Sequence, residues 1–480
     1  MMNTPQDQVI GPRVRAVENM VARARAKTRG QHERPACNTC HIPLWLSFFF
    51  DGTGNNRHTD FPRSHSNVAA LFQAHHRDQD TGIIPHYYEG LGTDFEFKDH
   101  LSRKTIHTRG GLPVHVDVHG YKEDSWLENK MGLAVGDGVD IRLEKAMFDF
   151  EDSIERTRAR MRVDEINVAA FGFSRGATEA RAFMHWLAAH SKVTRSGSRL
   201  KFDGIPLNVK FLGIFDTVES IGGAGKNTRP RLIRTSVPSY VEKCFHSTAA
   251  HELRDAFPLT CLGTNRYVQA VVPGAHADVG GGYDSDDQGR SNKLSRLNLL
   301  QMLDHARGAG LKLLSLAEMQ ASPRWKAELA HSFDVPAEIH EAHSQYMRHV
   351  SHASGTLQEV MSAHMRLYWA WIDSGLAMQD ADEKRVRIHA KGRSRTETDK
   401  QLIVMQHLLR HRARTAQGRL GSQARNADFL PETVAPEVEH FFEKYVHDSF
   451  EHFSVSGGTM QMDASIADYY AIRNVLSPQA

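Results

Sequence analysis

The sequence predicts an α/β protein with a mainly parallel sheet and a mostly helical C-terminal region. Between about residues 44 and 290, short apolar runs that end at turn residues alternate with segments of helical spacing, a pattern typical of βαβ units. Beyond about residue 290 the apolar positions keep helical spacing and no further strand pattern follows. We therefore expect a polar N-terminal extension over 1–40, an α/β domain over 41–290 and a mainly helical region over 291–480.

The individual elements follow from apolar periodicity and from turn residues. The near-continuous apolar run at 44–50 stops at Asp51-Gly52, as expected of a strand that is buried on both faces. Residues 1–40 are polar and rich in Arg and lack a regular apolar spacing, which predicts a partly helical or flexible leader. Further strands are predicted at 86–90, 166–173, 209–215 and 267–272, and helices at 138–161, 177–190, 294–314, 357–378, 400–420 and 438–450.

The composition excludes several classes of protein. The 59 basic and 57 acidic residues leave a formal net charge of +2, too balanced for a chain whose main partner is a nucleic-acid backbone. Hydrophobic residues make up 40%, which is ordinary for a globular protein and excludes wholesale disorder. No apolar run approaches the roughly 18–20 residues that span a bilayer, and the first twenty residues lack the apolar core of a secretory signal.

One cysteine pattern suggests a metal site. Cys37-x-x-Cys40 is followed by His41, whereas a structural zinc usually takes four ligands from two such pairs. The other two cysteines, Cys244 and Cys261, are isolated in the sequence. We expect reduced thiols, with a structural zinc as the alternative, and we predict no cofactor.

The strongest functional pattern is a strand–serine–helix turn at residues 172–176. The segment Gly-Phe-Ser-Arg-Gly fits the G-x-S-x-G nucleophile elbow, with an apolar strand pattern before it and a helix-forming sequence after it. In such a turn the hydroxyl of Ser174 projects from the end of the sheet, and the glycines let the neighbouring backbone come close. The N–H of Arg175 at the helix start is a natural oxyanion donor. The alternative is a tight turn with an incidental serine.

A nucleophilic serine needs a base and a carboxylate, and two downstream positions fit the order Ser, Asp, His. Asp216 directly follows an apolar strand pattern, and His276 follows another strand in a glycine-rich loop whose freedom lets the imidazole reach the serine. His276 would take the proton of Ser174, and Asp216 would orient the imidazole. Asp278 is the supporting residue of this loop, by fixing it or by binding calcium. His447 is the competing base.

The second oxyanion donor is expected in the loop after the first strand, Asp51-Gly52-Thr53-Gly54-Asn55-Asn56. The N–H group of Gly52 or Thr53 would serve as the donor, and the side chains of Asp51 and Asn55 would hold the loop rigid. The run lacks the Gly-Lys-Ser/Thr ending of a phosphate-binding loop. It also lacks the length and terminal Glu of a calcium-binding EF-hand.

Four ordered segments resemble a known family. FFFDGTGNN, GFSRGA, GIFDTV and PGAHADVGGGY look like the α/β-hydrolase domain of the bacterial type VI secretion phospholipase effectors, the first lipase-effector family. The stretch HSTAAHELRDAFP resembles a further family segment, and the likeness spans about residues 44–284. One departure is that Val271 and Val272 stand where the family often has an aromatic residue.

The resemblance implies an α/β-hydrolase fold with helices on both faces of the sheet. It implies hydrolysis of glycerophospholipid acyl esters with Ser174, Asp216 and His276 at the triad positions. It also implies an antibacterial toxin that a contractile machine exports from the producing cytoplasm to act on the target cell's periplasm or membrane. The implied partners are a phospholipid surface, a secretion spike or tube component and a cognate immunity protein. The alternatives are a hydrolase of soluble esters and a catalytically silent binding module.

The helical region contains a candidate membrane-facing patch. Leu367, Tyr368, Trp369 and Trp371 are close in sequence, and amphipathic aromatic side chains suit the headgroup level of a bilayer. Packing inside the core of the helical region is the alternative that we favour. The region as a whole is expected to serve as a lid, a membrane-docking surface or a partner surface.

Overall fold

The molecule is built around a mainly parallel eight-stranded sheet, as the sequence predicts. A computed structural model of the chain describes residues 7–28, 37–93, 100–107, 113–120, 139–219, 233–254, 257–285, 287–325, 328–351, 354–377, 434–449 and 472–479. The strands are β1 (Cys37–Phe50), β2 (Ile83–Tyr88), β3 (His100–His107), β4 (Pro113–Gly120), β5 (Met161–Phe173), β6 (Val193–Ser196), β7 (Arg199–Phe202), β8 (Ile205–Phe215), β9 (Val241–Ala249), β10 (Leu259–Thr260), β11 (Val268–Val272) and β12 (Val475–Leu476).

Helices cover the sheet and form most of the later part of the chain. They are α1 (Asp7–Thr28), α2 (Arg57–Asp60), α3 (Asn67–Ala74), α4 (Val139–Arg158), α5 (Arg175–Ala189), α6 (His276–Gly280), α7 (Leu294–Gly308), α8 (Leu316–Ala321), α9 (Ala337–His349), α10 (Leu357–Ala377) and α11 (Pro436–Tyr445). Short single turns lie at Asp287–Gly289, Pro323–Trp325 and Leu329–Phe333.

The order of the strands places the loops of interest at one edge. The main path is β11-β9-β8-β5-β1-β2, and every neighbouring pair on it is parallel. A hairpin of β6 and β7 adds antiparallel pairing at the start of β8. Because parallel strands end at the same edge, the loops after β1, β5, β8, β9 and β11 converge there.

The central strands are apolar on both faces because each face carries its own helical layer. In β1, Leu46, Phe48 and Phe50 pack in a core with α1, α4 and α5, while Phe49 packs in a second core with α3 and α7. This two-sided burial explains why the strand reads as a continuous apolar run rather than as an alternating one.

The N-terminal segment differs from its sequence interpretation. Ile10, Val14, Val17 and Val21 are buried, so α1 presents an apolar stripe at helical spacing to α4 and α5. The helical alternative for this segment is therefore confirmed over 7–28, and the expectation that it lacks regular apolar positions is wrong there. Frequent arginines on the remaining faces of the helix conceal the stripe in a composition-based interpretation.

Several strands have only weak apolar patterns in the sequence and were therefore not predicted. Asp203 and Gly204 both have positive φ values, 49° and 84°, and form the two-residue turn between β7 and β8. In β9 the polar residues His246, Ser247 and Thr248 are buried and hydrogen-bonded, which breaks the apolar run. The short β12 pairs with β10, so strands do not stop at residue 290 as expected.

The helical region has an aromatic core of its own. Tyr368, Trp369 and Trp371 of α10 are only 3–4% exposed, and the rings of Tyr368 and Trp371 pack on Phe442 of α11. The favoured interpretation, packing inside the core of the helical region, is therefore confirmed over the candidate membrane-facing patch. The helix predicted at 400–420 lies outside the described residues, and α11 ends at Tyr445 rather than near residue 450. No helix among the described residues is long and apolar enough to span a bilayer.

Candidate active site

Ser174 lies in a strained turn between β5 and α5. Its φ and ψ angles are 58° and −123°, a conformation that costs on the order of 1–3 kcal/mol for a residue with a side chain. Its backbone N–H donates to the carbonyl oxygen of Phe215 at the end of β8, at 3.0 Å, and holds the serine beside the neighbouring strand. The strand–turn–helix geometry predicted from the sequence pattern is therefore present.

The glycines on either side of Ser174 permit a close approach of backbones. A Cβ atom on Gly172 would lie 2.3 Å from the carbonyl oxygen of Gly176. A Cβ atom on Gly176 would lie 2.4 Å from the carbonyl oxygens of both Phe50 and Asp51. Glycine at these positions thus lets the start of α5 lie against the end of β1.

Asp216 follows β8 and is fully buried, with a φ of 41°. Its Oδ2 atom lies 2.5 Å from Nδ1 of His276, and its Oδ1 atom accepts the backbone N–H of Ala249 at 2.9 Å and Nη1 of Arg473 at 2.6 Å. Burial alone would raise the pKa of the carboxyl, but the charge of Arg473 and the hydrogen bonds from His276 and Arg473 lower the pKa below its ordinary value. Asp216 is ionised at neutral pH.

His276 is the first residue of α6 and is held on several sides. The rings of Phe173 and Phe257 flank its imidazole, with centroid distances of 4.6 and 5.0 Å. The backbone N–H of His276 donates to Oε2 of Glu252 at 3.3 Å. Burial lowers the pKa of His276, and the hydrogen bond with Asp216 opposes this only in part. The imidazole is therefore neutral at pH 7 and able to accept a proton.

Ser174, Asp216 and His276 reach the same edge of the sheet, as the sequence predicts. Phe173, the residue before the serine, packs its ring on His276, and Nδ1 of that imidazole faces Asp216. Within the described residues no hydrogen bond joins the Ser174 hydroxyl to His276. Such contacts often tighten only when substrate binds, so the lack of this hydrogen bond does not argue against Ser174 and His276 as partners.

The loop after β1 is held rigid by the side chain of Asp51. Oδ1 of Asp51 accepts the backbone N–H of Gly52 at 2.7 Å, and the Tyr87 hydroxyl donates to Oδ2. Burial raises the pKa of Asp51 to about 7, although these hydrogen bonds oppose the rise. Because the N–H of Gly52 already has an acceptor, Thr53 is the better candidate oxyanion donor in this loop.

Backbone contacts fix the rest of this loop and connect it to the serine turn. The N–H of Asn55 donates to the Gly52 carbonyl at 2.8 Å, and its side-chain amide donates to Asp60 at 3.4 Å. Nε of Arg175 donates to the Thr53 hydroxyl at 2.6 Å. Both candidate oxyanion segments are thus joined through one side-chain hydrogen bond.

Asp278, two residues after His276, forms a second buried pair with His447. Nδ1 of His447 lies 2.6 Å from Oδ1 of Asp278, and its backbone N–H donates to Oδ2 at 2.9 Å. The same Oδ2 accepts the N–H of Ala275 at 2.9 Å, and the His447 ring stacks on Tyr283. Asp278 therefore fixes the loop, as one of the two sequence interpretations holds, and His447 pairs with Asp278 rather than with Asp216.

The glycines after His276 serve a purpose other than the expected one. The glycine-rich pattern predicts a loop in which the imidazole can move, but His276 is the first residue of a helical turn. A Cβ atom on Gly280 would lie 2.1 Å from the Phe173 ring, so this glycine lets α6 close onto the residue before the serine. Gly281 and Gly282 take positive φ values of 79° and 119° where the chain leaves the turn.

Two buried charged residues beside the site are not among the site residues predicted from the sequence. Glu252 forms an ion pair with Arg254 at 2.8 Å and accepts from the His276 backbone, and it lies in the family-like stretch at 246–258. Arg473 is separated from Asp216 by 257 positions and belongs to no motif. Only the folded chain identifies Arg473 as a neighbour of the site.

In the cysteine pattern near the N-terminus, His41 is the residue whose side chain is described. Nδ1 of His41 faces Asp164 at 2.9 Å on the surface, and the side chains of Cys37 and Cys40 lie outside the structural description. In the part of the chain that is described, no group of three or more His, Cys, Asp or Glu side chains is arranged to hold a metal ion.

Comparison with known families gives a match over more than half of the chain. Residues 46–200 and 188–305 match the model described as the catalytic domain of Tle1-like phospholipase effectors of the type VI secretion system. No curated protein sequence matches the chain.

The chain was also compared with solved structures. An uncharacterized protein from Pseudomonas aeruginosa superposes with a TM-score of 0.57 at 20% identity, covering 99% of this chain and 83% of the other. The Tle1 effector bound to the VgrG spike of the type 6 secretion system has a TM-score of 0.42 at 18% identity, covering 69% of this chain and 84% of the other. At these identities the first likeness concerns the fold alone.

Proposed function

Because the chain belongs to the family of Tle1-like phospholipase effectors of the type VI secretion system, we propose that it is a serine esterase of phospholipase A type that cleaves glycerophospholipid acyl esters through an acyl-enzyme. The observation that carries the proposal is the buried contact of Asp216 with His276, at 2.5 Å, beside Ser174 in its strained turn. A base that is oriented by a carboxylate is what a serine hydroxyl needs to become an effective nucleophile.

In the first half of the reaction, Oγ of Ser174 attacks the acyl carbonyl carbon while Nε2 of His276 takes the hydroxyl proton. Asp216 holds the Nδ1–H of His276 and stabilises the imidazolium that forms. When the tetrahedral intermediate collapses, the bond to the glycerol oxygen breaks. That oxygen receives the proton from His276 and leaves as the alcohol of a lysophospholipid.

In the second half, water replaces the leaving alcohol. His276 removes a proton from the water as it attacks the acyl-enzyme, and then returns that proton to Ser174. A free fatty acid is released, so the net reaction is phospholipid plus water to lysophospholipid plus fatty acid. Neither half requires a metal or an organic cofactor.

The negative oxygen of each tetrahedral intermediate needs preorganised donors. We assign the backbone N–H groups of Thr53 and Arg175 to this role, with Gly52 as the weaker candidate because its N–H is bound to Asp51. The hydrogen bond between the Arg175 and Thr53 side chains supports a fixed separation of the two segments. Loss of one such donor typically lowers kcat by about 10²–10³.

Replacement of the serine tests the proposal. Ser174→Ala is expected to lower phospholipid hydrolysis by at least about a thousandfold, since only the remaining binding groups would act on substrate. Ser295→Ala is the matched control: Ser295 on α7 is also buried, but its hydroxyl donates to the Asn292 carbonyl just before that helix and not to any of the three proposed catalytic residues. Full hydrolysis by folded Ser174→Ala would refute the nucleophile assignment and leave a binding module as the better interpretation.

The substrate class is tested by the physical state of the ester. A phospholipase is expected to gain activity when a short-chain phosphatidylcholine passes its micelle-forming concentration, whereas a hydrolase of soluble esters should follow simple saturation. Mass spectrometry of products from a phospholipid with two different acyl chains identifies the bond that is cut. Absence of a lysophospholipid product in either assay would favour the soluble-ester alternative.

The partners and the place of action follow from the family. We infer export from the producing cytoplasm on a spike or tube component, action on phospholipid at the target cell's membrane or periplasm, and neutralisation by a cognate immunity protein. A competition assay tests this inference, with secretion measured for the parent protein and for the Ser174→Ala variant. Bacteria that export the parent protein should kill susceptible neighbours, and bacteria that export Ser174→Ala should not. Equal killing would separate toxicity from hydrolysis.

We also propose a division of labour along the chain. Residues 41–290 would form the catalytic domain, and 291–480 would form a helical region that supports it or contacts partners. The burial of α1 against α4 and α5 argues that residues 7–28 contribute to the same core rather than standing apart.

A further inference from the structure

The last described segment of the chain, 472–479, lies against the candidate site. The backbone of Leu259 donates to the Asn474 carbonyl at 2.8 Å, and β10 pairs with β12. Thr260 donates in turn to the Thr217 carbonyl at 3.0 Å, next to Asp216. Two layers of backbone pairing therefore fix the C-terminal segment relative to the loop after β8.

This pairing directs Arg473 onto the carboxylate of Asp216. Nη1 of Arg473 lies 2.6 Å from Oδ1, the oxygen that His276 does not contact, and both side chains are almost fully buried. Nε of the same guanidinium donates to the Phe257 carbonyl at 2.5 Å, and the Phe257 ring flanks His276. One guanidinium thus connects the acid to a wall of the imidazole pocket.

We propose that Arg473 is a positioning residue of the esterase: its guanidinium fixes the rotamer of Asp216 and moderates the basicity of His276. The inference rests on the proposed function, because it assigns a role within the same triad. A carboxylate that is held on Oδ1 by both Arg473 and the Ala249 N–H can present only Oδ2 to the imidazole. The cation also offsets part of the negative charge that would otherwise stabilise the imidazolium.

The surrounding charges leave Arg473 as the main counterion of Asp216. Glu252 is paired with Arg254, and the pKa of His246 lies well below its ordinary range because of burial and the charge of Arg181, so His246 is neutral. The titratable groups that face the Asp216–Arg473 pair are His276 from α6, His246 from β9, and Glu252 and Arg254 from the segment after β9. Arg181 of α5 contacts His246.

The test compares Arg473→Gln and Arg473→Lys with the parent in the full-length chain. Arg473→Gln is expected to lower kcat about ten- to a hundredfold, less than the roughly 10⁴-fold loss when a triad carboxylate is itself changed. Because activity needs neutral His276, the acid limb of kcat/KM against pH should move up by about half to one pH unit once the cation is removed. Arg473→Lys keeps the charge and should restore the limb, with partial recovery of kcat.

Arg296→Gln is the matched control, because Arg296 is also buried and donates to three backbone carbonyls but does not contact the triad. It should leave the acid limb of the profile in place. The proposal is overturned if folded Arg473→Gln keeps both the parental kcat and the parental acid limb. It is also overturned if Arg473→Gln loses activity while its acid limb stays where it is in the parent and in Arg296→Gln.

Failure of Arg473→Gln to fold and failure of the proposed function give different results. If Arg473→Gln does not fold, Arg473→Lys tests the proposal. Because lysine lacks the guanidinium fork, kcat of this variant must fall severalfold while the acid limb of its pH profile stays in place. A parental kcat in Arg473→Lys would overturn the proposal. Persistence of activity in Ser174→Ala would instead refute the proposed function itself.

Discussion

Two buried carboxyls close to the serine turn have opposite charge states at neutral pH. Asp216 accepts hydrogen bonds from Arg473, His276 and the backbone, which lower its pKa although burial acts in the other direction. Glu179, five residues after Ser174, has no described hydrogen-bond partner on either oxygen, and burial raises its pKa to about 8 against the charges of Arg142 and Arg175. The charge of Arg473, together with the direct hydrogen bonds, keeps Asp216 ionised, whereas Glu179 has nearby charges but no hydrogen bond to offset its burial.

The protonated state of Glu179 predicts a pH-dependent stability. A carboxyl whose pKa is raised on folding stabilises fully below its unfolded pKa of about 4.5, and this stability is lost as pH rises through its folded pKa of about 8. Glu179→Gln removes this loss, so the variant should gain on the parent by on the order of 1–3 kcal/mol between pH 5 and pH 8. Urea unfolding at three pH values measures the difference.

Glu341→Gln on the exposed face of α9 is the control for this series. Its stability relative to the parent should not change with pH. A constant difference between Glu179→Gln and the parent over the same range would show that Glu179 is ionised throughout.

At the scale of elements, the short helix α6 depends on a contact from beyond α11. Asp278, inside α6, receives Nδ1 and the backbone N–H of His447, and both side chains are fully buried. The segment 446–449 also pairs with Gln288 through the backbone N–H and carbonyl of Asp448. The turn that presents His276 is therefore held by residues that lie 169 positions away from it.

Replacement of His447 separates this supporting role from that of a base. His447→Ala leaves the buried carboxylate of Asp278 without a side-chain partner, so we expect a loss of roughly 1–3 kcal/mol in the free energy of unfolding. Hydrolysis should fall only about tenfold through misplacement of His276, whereas His276→Ala should lose at least about a thousandfold. Kinetics at a temperature where both variants are folded make the comparison.

His440→Ala, on the exposed side of α11, is the control and should match the parent. A loss in His447→Ala as large as that in His276→Ala would favour His447 as the base. Parental stability in His447→Ala would contradict the supporting role.

At the scale of the whole molecule, the buried apolar side chains of the described residues fall into three clusters. Two lie on opposite faces of the sheet, and the third joins α9, α10 and α11 around stacked aromatic rings. Trp371 stacks on Phe442 with a centroid distance of 5.2 Å, inside this third cluster. Aromatic side chains in such a core bury large apolar areas, so they stabilise the helical region rather than face lipid.

Trp371→Ala tests this assignment. Truncation of a buried tryptophan typically costs about 3–5 kcal/mol, so the variant should unfold at clearly lower urea concentration than the parent. Binding to phosphatidylglycerol-containing vesicles, measured where the variant is still folded, should match the parent. Val268→Ala, at a position that is 51% exposed, is the control and should change stability by less than about 0.5 kcal/mol.

Trp371→Ala could also show that the aromatic cluster faces lipid. Native stability together with lost vesicle binding in Trp371→Ala would mean that the aromatic cluster contacts lipid and not the protein core.

Much of the α/β part could be predicted because its signals are local. The apolar run before Asp51, the glycines around Ser174 and the strand patterns before Asp216 and His276 each reflect a constraint within a few residues. The predicted strand at 166–173 and helix at 177–190 lie within or next to β5 and α5 for this reason. Elements with mixed patterns, such as α1 with its arginines and β9 with its buried polar residues, escape local rules.

By itself the sequence determined the fold class, the family and the serine turn, because strand burial and steric limits on backbone geometry are written in neighbouring residues. Only the tertiary structure decided that Arg473 faces Asp216, that His447 holds Asp278, and that the α10 aromatics are buried. The first two contacts join positions 257 and 169 residues apart. Whether a charge or a ring meets a partner there depends on where the chain returns in space, and no local pattern encodes that.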